Sequence, residues 1–345
     1  MNKFLVLTVC IFLFSFVSAS ASPAGAQVGS EPDAKKERLC AEAAAPDDAP
    51  DKMFINCEIE RADFAPEYPP MIPGMEMEFR VVAFNIERGY NIDRQIETLK
   101  NNPDMRNADL LLISEADRGC RRTGYRNTAR ELARELRMNY AYGVEFMELE
   151  RYDEHGEICE HGNAIMSRHP LIRVEQIRHE KAAGWYEPPG EKPRTGQPRL
   201  GGRMAMMAEV DFGGTVIRAY SVHFESSLLG DKIRKAEASR LMYHARSFEG
   251  PVIIGGDMNT GLYLGDLVSG GRRDPTTQFF FKKGYADAHA GVDPALRGSC
   301  EESGMWPVLD LIMSRGAKAT SAGVCATPDC RGLSDHLPVW ATFSF

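Results

Sequence analysis

From residue 78 onward the chain alternates short apolar runs with stretches of helical spacing. EFRVVAFNI, DLLLIS, NAIMS, MAMMAEV, TVIRAYSV, PVIIGG and LDLIM are each apolar, short and bounded by polar or glycine-containing segments, which predicts strands that are buried in character. Ala129, Leu132, Ala133 and Leu136 share one helical face, as do Ala238, Leu241, Met242 and Ala245. The interleaving predicts a mixed α/β domain over residues 78–345. MAMMAEV and TVIRAYSV are separated only by DFGG and read as an antiparallel hairpin, which rules out a purely parallel doubly wound sheet. Phe279, Phe280 and Phe281 are read as core rather than as a membrane-docking hairpin. No internal repeat of fixed period is present.

The residues ahead of this domain have a different texture. Residues 22–77 are rich in Ala, Pro, Asp and Glu, as in AAAPDDAP and APEYPPMIPG, and lack periodicity. They form a leader, either a flexible linker or a strap pinned through Cys40 and Cys57. Residues 1–21 carry Lys3, an apolar run from Phe4 to Val17 and the small residues Ala19-Ser20-Ala21, the layout of an export signal peptide. The run is shorter than the roughly 20 apolar residues of a membrane span, and no later stretch is apolar enough, so no stable membrane insertion is expected. Cys10 precedes most of the apolar run, which argues against lipid attachment at Leu7-Thr8-Val9-Cys10. The expected location is secreted or periplasmic.

Composition adds limits rather than detail. The 345 residues, 43% hydrophobic and 26% charged, leave room for a sizeable core. A formal charge of −8 argues against a broad basic face for nucleic acid, while allowing a local grip on a few phosphates. Past the signal, Cys40, Cys57, Cys120, Cys159, Cys300, Cys325 and Cys330 form an odd set without CxxC spacing, so structural bridges are favoured over a zinc site. Cys325 and Cys330 are the expected pair. Oligomeric state is not legible.

The informative pattern is chemical. Apolar strands repeatedly end in acids, amides and imidazoles: Asn85 and Glu87 after VVAF, Glu115 in LLLISEAD, His223 in YSVHF, Asp257 and Asn259 in VIIGGDMN, Asp310 in LDLIM, Asp335 and His336 in LSDHLPV. A single strand-end Asn or Asp commonly just closes a turn. So many together exceed what turns require, and α/β architectures place their chemistry at strand ends. Glu115, Asp257 and Asp335 are hard oxygen donors suited to Mg²⁺, Mn²⁺ or Ca²⁺. Imidazoles beside such acids can hold a proton and stabilise phosphate charge.

FNIERG, ISEADR, HGNAIMSR, VHF, GGDMN, LDLIM and SDHLPV, in this order, resemble the motifs of the endonuclease/exonuclease/phosphatase superfamily, with GGDMN and SDHLPV the most specific. The resemblance implies a four-layer α/β/β/α sandwich of two mixed sheets flanked by helices, with the site at one edge of the sheets. It implies that Asn85, Glu115 and Asp335 serve the metal, and that His223, Asp257, Asn259, Asp310 and His336 serve the reaction. In that scheme Asp257 orients the attacking water, Asn259 and His223 hold phosphate, and Asp310 aligns His336. Many members have Arg before Ile-Asp-Tyr at the Asp310 position, where this chain reads Pro307-Val308-Leu309-Asp310-Leu311.

Specificity belongs to the loops. Arg118, Arg121 and Arg122 follow the metal glutamate and are expected on the substrate side, together with Asn163 of HGNAIMSR. Residues 178–203, with Trp185 and Tyr186, form a second loop, read as a solvated surface. The expected partner is a phosphoester substrate, with nucleic acid admitted as a transient one. The resemblance leaves open nuclease-like, small-phosphoester and sphingomyelinase-like phospholipid substrates, and a catalytically silent binding protein on the same scaffold.

Overall fold

The computed structural model describes residues 57–66, 78–149, 158–179, 199–227, 230–260, 274–300 and 307–344. The signal segment, Cys40 and Trp185-Tyr186 lie outside them. Along the chain come β1 (Glu60–Ala62), β2 (Glu78–Arg88), α1 (Ile92–Asn101), β3 (Leu110–Arg118), α2 (Thr128–Leu136), β4 (Asn139–Leu149), β5 (Ile158–Ser167), β6 (Leu171–Arg178) and β7 (Arg199–Gly201). There follow β8 (Met204–Phe212), β9 (Thr215–His223), α3 (Asp231–Ala245), β10 (Val252–Asp257), α4 (Pro275–Lys282), β11 (Ala286–Asp287), β12 (Asp310–Arg315), β13 (Lys318–Val324) and β14 (Val339–Ser344).

Alternation within the strands builds the layers. In β2, Val81 and Ala83 face one cluster while Val82 and Phe84 face another; Leu110 and Leu112 of β3 split from Leu111 and Ile113 in the same way. The first cluster of each pair lies between two sheets, joined by Met204, Met206, Ala208, Ile253 and Ile312 from the opposite side. The second packs beneath Ile92, Ile96 and Leu99 of α1 and Ala129, Leu132 and Ala133 of α2. On the far side, Ala205, Met207, Val222 and Ile254 meet Ala238, Leu241 and Ala245 of α3 and Phe280 of α4. Three apolar interfaces make four layers, the expected α/β/β/α sandwich.

One sheet runs β1-β4-β5-β3-β2-β14-β13 with β7 added beside β4, and the other runs β11-β12-β10-β9-β8-β6. Both are mixed: β2 and β3 are parallel, as are β9 and β10, whereas the remaining pairs are antiparallel. β8 and β9 form the expected hairpin around Gly213-Gly214. Phe280 is fully buried in α4, with Phe279 and Phe281 packed against the same cluster.

The sheet reaches back ahead of residue 78. β1 pairs with β4, and the Glu60 carboxylate accepts hydrogen bonds from Arg118 and Asn127. Cys57 is disulfide-bonded. These residues of the leader are therefore built into the domain as an edge strand.

Two bridges staple described residues to each other. Cys325–Cys330 is the expected one, and Cys120–Cys159 joins the end of β3 to β5. The closed loops differ in span, 39 against 5 residues of separation, so chain entropy gives the longer one the larger effect. Replacing Cys120 and Cys159 with Ala should cost about 4 kcal/mol, against about 2 kcal/mol for Cys325 and Cys330. Denaturant unfolding of the two double variants checks the order.

Candidate active site

Strand pairing aligns the functional side chains before any side-chain contact is considered. His223 is the register partner of Asp257, and Asp257 of Asp310, so β9, β10 and β12 present three of the expected residues in one row. Gly255 and Gly256 allow this close approach: a Cβ on Gly256, at φ +140°, would stand 2.1 Å from the Val222 carbonyl oxygen, and one on Gly255 would meet Leu112 across the sandwich at 2.8 Å. Asn85 brings in the other sheet, donating from Nδ2 to Asp257 Oδ2 at 3.1 Å. The two sheets thus meet at this edge.

Glu115 reaches the same place through irregular backbone. The β2–β3 pairing shifts between Asn85 and Arg88, and the β3–β5 pairing between Ile113 and Ala116. Glu87 (φ +46°), Arg88 (+64°), Glu115 (+57°) and Asn259 (+50°) all adopt the left-handed region that non-glycine residues rarely occupy. Bulges and strain of this kind re-aim side chains at functional edges. Glu115 then faces His223 Nε2 at 3.8 Å and Arg88 Nη1 at 3.9 Å.

The two histidines differ in their partners. His336 Nδ1 donates to Asp310 Oδ2 at 2.7 Å, and its Nε2 stands 3.7 Å from Asp257 Oδ2. Burial favours the neutral ring, yet Asp310, Asp257 and Asp335 together hold its pKa well above the ordinary range. His223 Nε2 lies 3.5 Å from Asp257 Oδ2, and its Nδ1 lies 2.8 Å from Arg203 Nη1. Ser334 Oγ donates to the Asn85 carbonyl and accepts from the His336 amide, fixing the SDH turn against β2.

Acids crowd the mouth of the site. The Glu87 carboxyl accepts from the Asp335 amide at 3.1 Å, and burial, reinforced by the Asp335 charge, pushes its pKa up to about 7. Burial pushes Asp257 up as well, against the pull of His336. For Glu115 burial is outweighed chiefly by Arg88, with Arg203 adding to it, and the carboxyl is held well below the usual carboxylate range. Asp257, Asp310 and His336 offer ligand atoms within 4.8 Å of one another. A cation there would have to displace the His336–Asp310 bond and face an imidazolium, so Glu115 is the better anchor.

The substrate-side expectations are placed differently. Arg118 is buried, bonded to Glu160 at 2.5 Å and Glu60 at 2.7 Å, and lies over the Tyr142 ring. Arg122 grips Asp117 with two nitrogens, at 2.6 and 2.8 Å. Asn163 is buried between the sheets, donating to the Met204 carbonyl. All three brace the protein; Arg121 is exposed at the surface. Asn259 spends one amide N–H on the Phe224 carbonyl, and its backbone N–H on Asp257 Oδ1. The loop expected to be solvated has buried ends, since Arg178 is half-buried and His179, Arg199 and Arg203 are buried.

Glu145, Arg203, Arg88 and Ser334 escaped the sequence reading. Glu145 carried a signal, an acid within the apolar run of YAYGVEF. It is fully buried, bonded to Arg203 at 2.7 Å, and although burial raises its pKa, the Arg203 guanidinium pulls it down to about 2.

The chain matches the Endonuclease/Exonuclease/phosphatase family over residues 82–336. Similar solved structures include the endonuclease/exonuclease/phosphatase from Beutenbergia cavernae DSM 12333, at 17% identity and a TM-score of 0.53 over 77% of this chain and 71% of that one. A family protein from Leptotrichia buccalis C-1013-b is 14% identical with a TM-score of 0.54, covering 77% of this chain and all of that one, at 100%. Truncated TDP2 from Caenorhabditis elegans is 19% identical with a TM-score of 0.51, over 77% and 97%. No match is found among curated proteins. At these identities the structures speak to the fold alone, while the family match runs from β2 through His336 and takes in every expected catalytic residue. The chain therefore belongs to the endonuclease/exonuclease/phosphatase family, whose members are generally hydrolases of phosphoester bonds.

Proposed function

We propose that this protein is an exported, divalent-metal-dependent phosphoesterase that hydrolyses a phosphodiester or phosphomonoester by in-line attack of water. The observation that carries the reading is the convergence of Asn85, Glu115, His223, Asp257 and the His336–Asp310 pair at one edge of the two sheets.

A hard cation fits the donor set. The groups facing Glu115, His223 and Arg88, stand beyond hydrogen-bond reach, and Glu87 and Asp335 crowd the same mouth. Mg²⁺ or Mn²⁺, with Ca²⁺ a third candidate, matches oxygen ligands of this kind. Glu115 and Asn85 would hold it, with Asp335 beside them. When bound, such an ion neutralises charge on the phosphate and leaving oxygens.

The chain's own groups account for the rest. Asp257 Oδ2 is fixed by the Asn85 amide and orients the attacking water, taking its proton as the bond to phosphorus forms. His336, kept cationic by Asp310, donates through Nε2 to an oxygen whose negative charge grows during attack. His223 and the remaining Asn259 N–H hold the other oxygens.

Tyr90 supports a nucleotide-like substrate over a lipid one. It is 44% exposed and lies beside Arg88 with the guanidinium 5.9 Å from its ring centre, so part of its ring is open to a base or sugar. A panel of a dinucleotide, single- and double-stranded DNA, a nucleoside monophosphate and sphingomyelin vesicles, run with Mg²⁺, Mn²⁺ and Ca²⁺, tests the class. Turnover of the nucleotide diesters is expected; turnover of sphingomyelin alone would reassign the substrate, and none at all would favour a silent binding protein.

Export rests on the apolar run at residues 4–17 and on the disulfides, which persist in oxidising compartments. N-terminal sequencing of the protein recovered outside the cytoplasm should begin close to residue 22.

A further inference from the structure

We propose that Arg203 is a positioning residue that fixes which nitrogen of His223 carries the proton, making His223 a neutral donor toward the scissile phosphate. The inference rests on the phosphoesterase reading above and deepens it. His223 has two faces. Nε2 looks into the site, 3.5 Å from Asp257 Oδ2 and 3.8 Å from Glu115 Oε1. Nδ1 looks away, 2.8 Å from Arg203 Nη1 and 3.6 Å from Glu145 Oε2.

The chemistry of the closer contact is one-directional. A guanidinium has donors and no acceptor, so Nδ1 must offer its lone pair to Arg203, and the ring proton must sit on Nε2. Glu145 Oε2, at 3.6 Å, stands farther from Nδ1 than the Arg203 nitrogen does. His336 is set in the opposite sense, because its Nδ1 faces a carboxylate that can only accept. One imidazole is thus oriented by a donor and the other by an acceptor, and the two are given different tasks: His336 brings charge, His223 a fixed neutral N–H.

Arg203 is held in place for this. Nη1 also donates to Glu145 Oε1 at 2.7 Å, Nη2 to Ser226 Oγ at 3.2 Å, and the guanidinium lies over the Phe146 ring at 5.4 Å. The side chain is 3% exposed. Lysine could supply the charge but not the planar fork that reaches Glu145, His223 and Ser226 together.

The test reads the ring directly. In ¹⁵N-labelled wild-type protein near neutral pH, long-range ¹H–¹⁵N correlation, assigned with His223→Gln, should show a bare Nδ1 and a protonated Nε2. In Arg203→Met the ring should shift toward Nδ1–H, now bonded to Glu145, and kcat should fall on the order of 10-fold or more with KM nearly unchanged. Arg203→Lys should not restore the wild-type signal. Nδ1–H in the wild-type ring overturns the proposal, whether or not Arg203→Met folds, and so does an unchanged His223 signal in that variant. The spectrum needs no turnover, so a failed substrate panel would leave this result standing.

Discussion

Glu115→Gln is expected to lower kcat/KM by about 10³-fold while leaving the fold intact, because the substitution removes one negative charge at nearly constant shape. Arg88, with Nη1 at 3.9 Å, holds the Glu115 carboxylate toward its charged form against the effect of burial. Glutamine keeps an oxygen in place and loses the charge that would hold a divalent ion. The apparent metal affinity should drop along with the rate, and titration of Mn²⁺ should recover part of the loss. The Arg88 cation beside position 115 would no longer be balanced, so a small loss of stability is also expected. A variant with near-normal kcat/KM and metal dependence would move the metal to Asp257 and Asp310.

His336→Ala should lower kcat by on the order of 10² or more with little change in KM. The imidazolium donates to oxygens whose charge increases only as water attacks, so its contribution belongs to the transition state. Stability offers a second readout with a definite sign. A histidine whose folded pKa is raised stabilises fully below the ordinary imidazole range and loses that contribution as pH rises through the raised value. Unfolding midpoints of wild type and His336→Ala should therefore differ in acidic and neutral buffer and converge in alkaline buffer. Equal midpoints throughout, with a normal kcat, would reduce His336 to a turn residue.

The row of strand-end residues was legible because strand ends carry two signals at once, an apolar run and a sudden polar group. GGDMN also displayed its glycines, and the packing shows why they are needed, since a Cβ at Gly256 would collide with β9. What stayed hidden was hidden for physical reasons. β4 breaks its apolar pattern with Gly143, Glu145 and Glu148, which are buried by pairing with Arg203 and Arg199 from a distant segment. Ion pairs across 50 or more residues leave no local trace in a sequence. β13, Lys-Ala-Thr-Ser-Ala-Gly-Val, lies at a sheet edge where burial is slight, so it lacks the apolar run that marked the central strands. The bulges that aim Glu87, Arg88 and Glu115 have no propensity signature either; they are set by the register of β2, β3 and β5. Arg118 and Arg122 show the converse case. Basic residues just after Glu115 suggested substrate, but the buried carboxylates Glu160 and Asp117 pair with them. The same cations, paired with Glu160 and Asp117, brace the strand from which Glu115 projects.

On the proposed mechanism, a divalent cation held by Glu115 and Asn85 is what makes this site a phosphoesterase. The most direct measurement is hydrolysis of a simple phosphodiester by the mature wild-type protein, followed through chelator treatment and then titration with Mg²⁺ or Mn²⁺, with Glu115→Gln alongside. Activity should vanish in chelator, return saturably with the cation, and require a higher cation concentration in the variant; full turnover in excess chelator would contradict the account.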